Sequence, residues 1–105
     1  MALTRSFKET IKARADSDPA FRAALLTEAV DLMLAGEVET GKAVLRDCVN
    51  ATIGFERLAQ ETGSSSKSLM RMLGPAGNPT AGNLFAILRS VQKAAGVNLA
   101  VTTTG

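Results

Sequence analysis

Apolar positions recur along most of this chain at intervals of three and four, the spacing of helices with one buried face. Leu3, Phe7 and Ile11 lie one turn apart and predict a helix from Thr4, a candidate N-cap, to about Arg14. Asp16-Ser17-Asp18-Pro19 is a helix start signal. Asp18 can cap, and Pro19 fits the first turn, where its missing N–H is not needed. The second helix then runs to about Ala35 and stops at Gly36, a residue suited to a left-handed C-terminus. Phe21, Leu25, Leu32 and Met33 mark one apolar side, and Leu26, Val30 and Leu34 a second. A helix apolar on two sides is central in its fold or part of a subunit interface. Glu37 to about Ala51 is the third helix, with an acidic first turn that suits the helix dipole. Val38, Gly41, Val44, Leu45, Cys48 and Val49 read as inward, with Lys42 and Arg46 exposed at i, i+4. Gly41 weakens this helix by up to ~1 kcal/mol relative to alanine and marks a close helix crossing.

Beyond Thr52, read as the cap of a helix starting near Ile53 or Gly54, the pattern tightens. Leu58-Ala59 is followed by Gly63, then by Leu69 and Met72. Ala59 is small enough for two helices to cross closely, and Gly63 supplies the positive φ of a tight turn. Ser64-Ser65-Ser66 offers turn and capping hydroxyls before a short helix from Lys67 to Leu73, closed by Gly74-Pro75. This is the pattern of a helix-turn-helix. Pro75-Ala76-Gly77-Asn78-Pro79 is a loop. Thr80 can cap a last helix to about Ala95 with the stripe Leu84, Ile87, Leu88, Val91 and Ala95, ended by Gly96. Val97, Leu99 and Val101 alternate with Asn98 and Ala100, a weak signal for a short C-terminal strand.

The expected fold is therefore all-α, a five- to six-helix domain containing a helix-turn-helix, with that short strand at its end. Residues 1–52 are read as N-terminal helices for the core, dimerisation or partner binding. Residues 53–101 form the helix-turn-helix region and residues 102–105 a flexible tail, all within one compact unit. At 105 residues the chain is long enough for a real core. Its only aromatics are four phenylalanines, so that core is aliphatic.

Composition removes several chemistries. Histidine is absent, which excludes a histidine base, a histidine-containing zinc site and a Ser-His-Asp triad. The glycines are too scattered for a phosphate-binding loop. The pairs Glu37/Glu39 and Asp16/Asp18 sit at helix starts, where capping explains them. The expectation is no enzyme, no metal and no cofactor. Cys48, the single cysteine, lies among Val44, Leu45 and Thr52 at helical spacing and reads as a small buried hydrophobe. The first ten residues hold no apolar leader, and no apolar run approaches the roughly 20 residues that span a bilayer, so the expected location is the cytoplasm.

Charge placement adds direction. Residues 1–52 carry seven Lys/Arg and eight Asp/Glu, whereas residues 53–105 carry five and two. The basic excess accompanies the helix-turn-helix, as nucleic-acid binding requires. Leu69, Met72 and Leu73 point the second helix to the core and leave Ser66, Lys67, Met70 and Arg71 for solvent or DNA. Arg71 can contact guanine O6 and N7 through two hydrogen bonds, and Lys67 can do the same or bind phosphate. Met70 suits a thymine methyl. Ser65 and Ser66, with first-turn amides, suit a phosphate oxygen, and Asn78 and Thr80 in the following loop suit the DNA backbone. Arg57 and Lys93 are further phosphate candidates. Lys67 and Arg71 at i, i+4 are also what any solvated helix face carries.

From Glu61 to Leu99 the sequence resembles the helix-turn-helix antidote proteins of addiction modules, related to HigA-type antitoxins and the wider Xre-like regulators. The markers are Leu58-Ala59, Glu61-Thr62-Gly63, Ser66-Lys67-Ser68-Leu69, Leu73, the loop Gly77-Asn78-Pro79-Thr80, and Leu84 and Leu88. The resemblance covers roughly the second half of the chain. Ser64 and Met70 depart from it, standing where relatives usually carry an apolar residue and often an aromatic. It implies a lambda-repressor-like helix-turn-helix in a small transcriptional regulator that binds double-stranded operator DNA as a homodimer and represses its own operon. Antitoxin members of type II toxin-antitoxin modules also bind and neutralise a small toxin protein, typically a ribonuclease encoded next door. Two other readings stay open: a protein-interaction module in which the helix-turn-helix is scaffold, and a stand-alone phage-like repressor without a toxin.

Overall fold

The computed structural model describes residues 5–105. The predicted cap at Thr4, and Leu3 in the first apolar stripe, lie outside them. Six α-helices follow one another: α1 (Arg5–Ser17), α2 (Pro19–Leu34), α3 (Val38–Ala51), α4 (Phe55–Thr62), α5 (Ser66–Met72) and α6 (Ala81–Ala95). No described helix is long and apolar enough to cross a membrane.

Local chemistry sets most of the boundaries. The Asp18 carboxylate accepts from the backbone amides of Ala20 (3.0 Å) and Phe21 (3.2 Å), with Pro19 at the first helical position. Beside this cap the Arg14 guanidinium lies 4.6 Å from the centroid of the Phe21 ring and clasps α1 to α2. Gly63 and Gly96 end α4 and α6 in the left-handed conformation, with φ of 77° and 74°. Thr80 Oγ1 accepts from the Asn83 amide at 3.1 Å and opens α6 as predicted.

α2 and α3 form the most extensive helix pairing. Gly41 is the reason they approach so closely. A Cβ there would stand 2.6 Å from Met33 Cγ and 3.0 Å from the Ala29 carbonyl oxygen. One hydrophobic cluster joins the two halves of the sequence, running from Leu26, Ala29, Leu45 and Val49 through Phe55, Leu58, Leu69 and Leu73 to Ile87 and Val91. Arg22 adds a polar tie inside this frame. Its Nη1 donates to the Ala15 carbonyl (2.6 Å) and its Nε to the Ala95 carbonyl (3.3 Å), which binds the ends of α1 and α6 onto α2.

Several expectations are corrected. Thr52 closes α3 and does not open α4: its hydroxyl donates to the Cys48 carbonyl at 2.7 Å, and the cap of α4 is Gly54, at φ 79°. Val38, read as inward, is 49% exposed, and Leu34, read on the second apolar side of α2, is 70% exposed, because both flank the turn that joins α2 to α3. Lys42, read as exposed, is 2% exposed. No strand occurs among the described residues. The alternation at 97–101 has another cause. Val97 and Leu99 pack against the core, and the Leu99 amide donates to the Gln92 side chain at 2.8 Å instead of to a neighbouring strand.

Candidate nucleic-acid interface

α4 and α5 are joined by three residues, Gly63 to Ser65. The Gly63 amide donates to the Ala59 carbonyl at 3.0 Å, and the Ser65 hydroxyl accepts from the Ser68 amide at 3.0 Å. Phe55 and Leu58 bury the inner side of α4, and Leu69 that of α5. Leu73, the C-cap residue of α5, is 2% exposed. With Leu69 and Leu73 inward, helical geometry leaves Lys67, Met70 and Arg71 outward.

All three outward side chains are exposed, Met70 by 47%. Neither Lys67 nor Arg71 forms an ion pair among the described residues; the Arg71 guanidinium reaches only Ser68 Oγ, at 3.4 Å on its own helix. Their charges are therefore open to an anionic partner. Asn78 and Thr80 are also exposed, in the loop that follows.

The serines divide. Ser65 is exposed and its oxygen already caps α5. Ser66 is partly buried, and its hydroxyl donates to the Phe55 carbonyl at 3.3 Å, across the turn. That bond fastens α5 to the start of α4 and corrects the expectation that Ser66 faces solvent. Arg57, a further phosphate candidate, lies 3.6 Å from the Glu61 carboxylate on its own helix. Lys93 is exposed beside an open groove of about 430 Å³ lined by Glu61, Thr62, Ala86, Arg89, Ser90 and Lys93.

Two inward-facing cations escape sequence reasoning, and one of them, Lys42, reaches the turn that follows α5. Lys42 sends its ammonium to the carbonyls of Gly77 (2.6 Å) and Gly74 (3.1 Å) and to Glu39 Oε2 (2.9 Å). Arg22 was not singled out either. A signal existed for both, because Lys42 precedes Leu45 by three and Val49 by seven, and Arg22 precedes Leu26 by four and Ala29 by seven. Each charge occupies a core-facing position of its helix, and residue type masked the spacing.

Where Lys42 holds it, the chain doubles back. The Gly77 amide donates to the Gly74 carbonyl at 3.0 Å, with Pro75 at the second position of the turn. Gly77 lies against the end of α5 so tightly that a Cβ would run into the carbonyl oxygens of Arg71 and Met72. Cys48 stands apart from all this. Burial, and secondarily the Asp47 charge, push its thiol up to about 12, which disfavours the reactive thiolate.

The fold and this face define the class: an all-helical domain with an exposed, cationic short helix. No family model matches the chain, and neither a curated protein nor a solved structure matches it.

Proposed function

We propose that this chain is a sequence-specific DNA-binding transcriptional regulator. α4 and α5 act as a lambda-repressor-like helix-turn-helix, and α5 enters the major groove. One observation carries the reading: Lys67 and Arg71 share the outer face of α5 without an acidic partner, while Leu69 is buried on the opposite face. Fixed apolar anchors beneath unpaired cations are what base reading requires. Arg71 reads guanine, Lys67 contacts guanine or phosphate, and Met70 packs on a thymine methyl. Asn78 and Thr80 hold the DNA backbone. Together with the family resemblance, this supports an autorepressing antitoxin of a type II toxin-antitoxin module, acting as a homodimer on a two-fold operator.

The test begins with duplexes selected from a randomised pool against the wild-type protein. A selected duplex and a scrambled one are then titrated by fluorescence anisotropy at about 50 and about 200 mM salt. Selective binding that weakens steeply with salt, and that falls by about tenfold or more in Lys67→Ala/Arg71→Ala, is the expected result. Equal weak binding to both duplexes, unchanged in the double variant, refutes it.

A second reading has its own observation. The outer side of α2 carries an open, largely apolar groove of about 510 Å³ lined by Ala23, Ala24, Thr27, Glu28, Asp31, Leu32 and Ala35, with Leu34 70% exposed at the same end. Such a face suits a protein partner, with the helix-turn-helix as scaffold. A stoichiometric partner that co-purifies with a protein lacking DNA affinity would favour this reading.

A further inference from the structure

α5 spans seven residues, just under two turns, too short to hold its own position. At its N-terminal end it is fastened by the Ser65 cap and the Ser66–Phe55 bond. Its C-terminal end runs directly into the turn at Gly74–Gly77, and what fixes that turn comes from elsewhere in the chain. The Lys42 ammonium has three N–H donors, and three acceptors surround it: Gly77 O, Gly74 O and Glu39 Oε2. With every donor used, the group cannot rotate without breaking a bond. Its side chain is 3% exposed, so water does not readily replace what is lost. Lys42 stands on α3, within the tightly packed α2–α3 hairpin.

We infer that Lys42 is a positioning residue for the proposed DNA-reading face. Its buried ammonium fixes the Gly74–Gly77 turn to the α2–α3 hairpin. It thereby sets the direction in which α5 presents Lys67 and Arg71 and the loop presents Asn78 and Thr80. The inference deepens the DNA-binding reading and rests on it for its functional half. An apolar side chain at position 42 leaves Gly74 with the Gly77 amide as donor but removes the donor to the Gly77 carbonyl. The turn is then free to shift, and the cations of α5 shift with it.

The test uses the full chain and Lys42→Met, which keeps an unbranched side chain and removes all three donors. Its first readout needs no DNA. Backbone amide NMR shifts are expected to concentrate at residues 73–80 and around position 42, with α1 and the first half of α2 unchanged. The second readout is the affinity ratio between the selected and the scrambled duplex. That ratio is expected to fall by about tenfold, while affinity for the scrambled duplex changes by less than about twofold, because phosphate attraction survives a small displacement and base contacts do not. Val49→Ala serves as a control for lost stability; it destabilises the same helix and must keep the wild-type ratio while folded. If Lys42→Met does not fold, Lys42→Leu, which also removes all three donors, is read by the same two measurements. A wild-type ratio in the Lys42 variant, an equal loss in Val49→Ala, or amide shifts absent from residues 73–80 would overturn the inference. If the wild type selects no duplex, the DNA reading has failed, and the amide shifts decide alone whether Lys42 positions the turn.

Discussion

Gly41→Ala sets two opposed effects against each other. In an isolated helix the change stabilises by up to ~1 kcal/mol, since alanine is the better helix former. In this fold the new Cβ would lie 2.6 Å from Met33 Cγ, 3.0 Å from the Ala29 carbonyl oxygen and 3.2 Å from the Met33 amide nitrogen. The first clash is relieved only by turning Met33 about its Cα–Cβ bond, because Cγ lies next to Cβ and the side chain packs against the core. The other two involve the backbone of α2 and yield only if the two helices move apart by a few tenths of an ångström. Overpacking of this kind costs about 1–3 kcal/mol. The cost exceeds the gain, and a net loss of about 1 kcal/mol is expected, equivalent to roughly 4 °C in Tm. Gly82 provides the internal comparison. It lies in the first turn of α6, where a Cβ would meet nothing nearer than Thr80 Oγ1 at 4.0 Å. Gly82→Ala is expected to stabilise by a few tenths to ~1 kcal/mol. Thermal and urea unfolding followed by far-UV circular dichroism measure both. A Gly41→Ala protein as stable as wild type or more so would refute the claim that close packing sets this crossing.

Other expectations follow from single contacts. Asp18→Ala removes both capping bonds at the start of α2 and should cost about 1 kcal/mol in the same unfolding assays; little of this comes from the Arg14–Asp18 pair, which is solvent-exposed and 3.9 Å apart. Cys48 should resist alkylation in the folded protein and react on unfolding, and a fast native reaction would contradict its burial. Burial raises its folded-state pKa from 9.0 to about 12, so the thiol's contribution to stability is complete below pH 9 and is lost as pH rises from there towards 12. Cys48→Ala should remove that part of the alkaline decline, and an unchanged profile would contradict the assignment.

Much of the fold was legible because local chemistry and apolar periodicity agreed. Asp18-Pro19, Ser65 and Thr80 open helices as their side chains favour, Gly63 and Gly96 end them at positive φ, and Ile87, Leu88, Val91 and Ala95 are buried as their spacing requires. The failures arose where tertiary partners overrode local signals. Thr52 can cap a helix, but the Cys48 carbonyl one turn back was the nearer partner. Val97, Leu99 and Val101 alternate as a strand would, yet the Gln92 side chain takes the Leu99 amide and Val101 is left 85% exposed. For the candidate site, the outward set Lys67, Met70 and Arg71 followed from helix geometry. Ser66 did not, because its partner, the Phe55 carbonyl, lies eleven residues back.

Lys42 is the more instructive miss. Its spacing from Leu45 and Val49 places it inward, but two of its three acceptors are 32 and 35 residues away, so no local pattern could announce them. An ammonium is expensive to bury, and it is tolerated here because each of its donors meets an oxygen. The same requirement makes the contact specific: a displaced turn would leave a buried charge without its partners, so the arrangement resists small deformations more than apolar packing would. The N-terminal helices thus do more than complete a core around α4 and α5. Through Lys42 they hold the backbone between Arg71 and Asn78, two of the side chains proposed to touch DNA. It follows that a fragment restricted to residues 53–101, though it contains the whole of the proposed helix-turn-helix, would lack both the α2–α3 hairpin and the ammonium that fixes the turn. Its α5 would keep the right side chains without the frame that aims them.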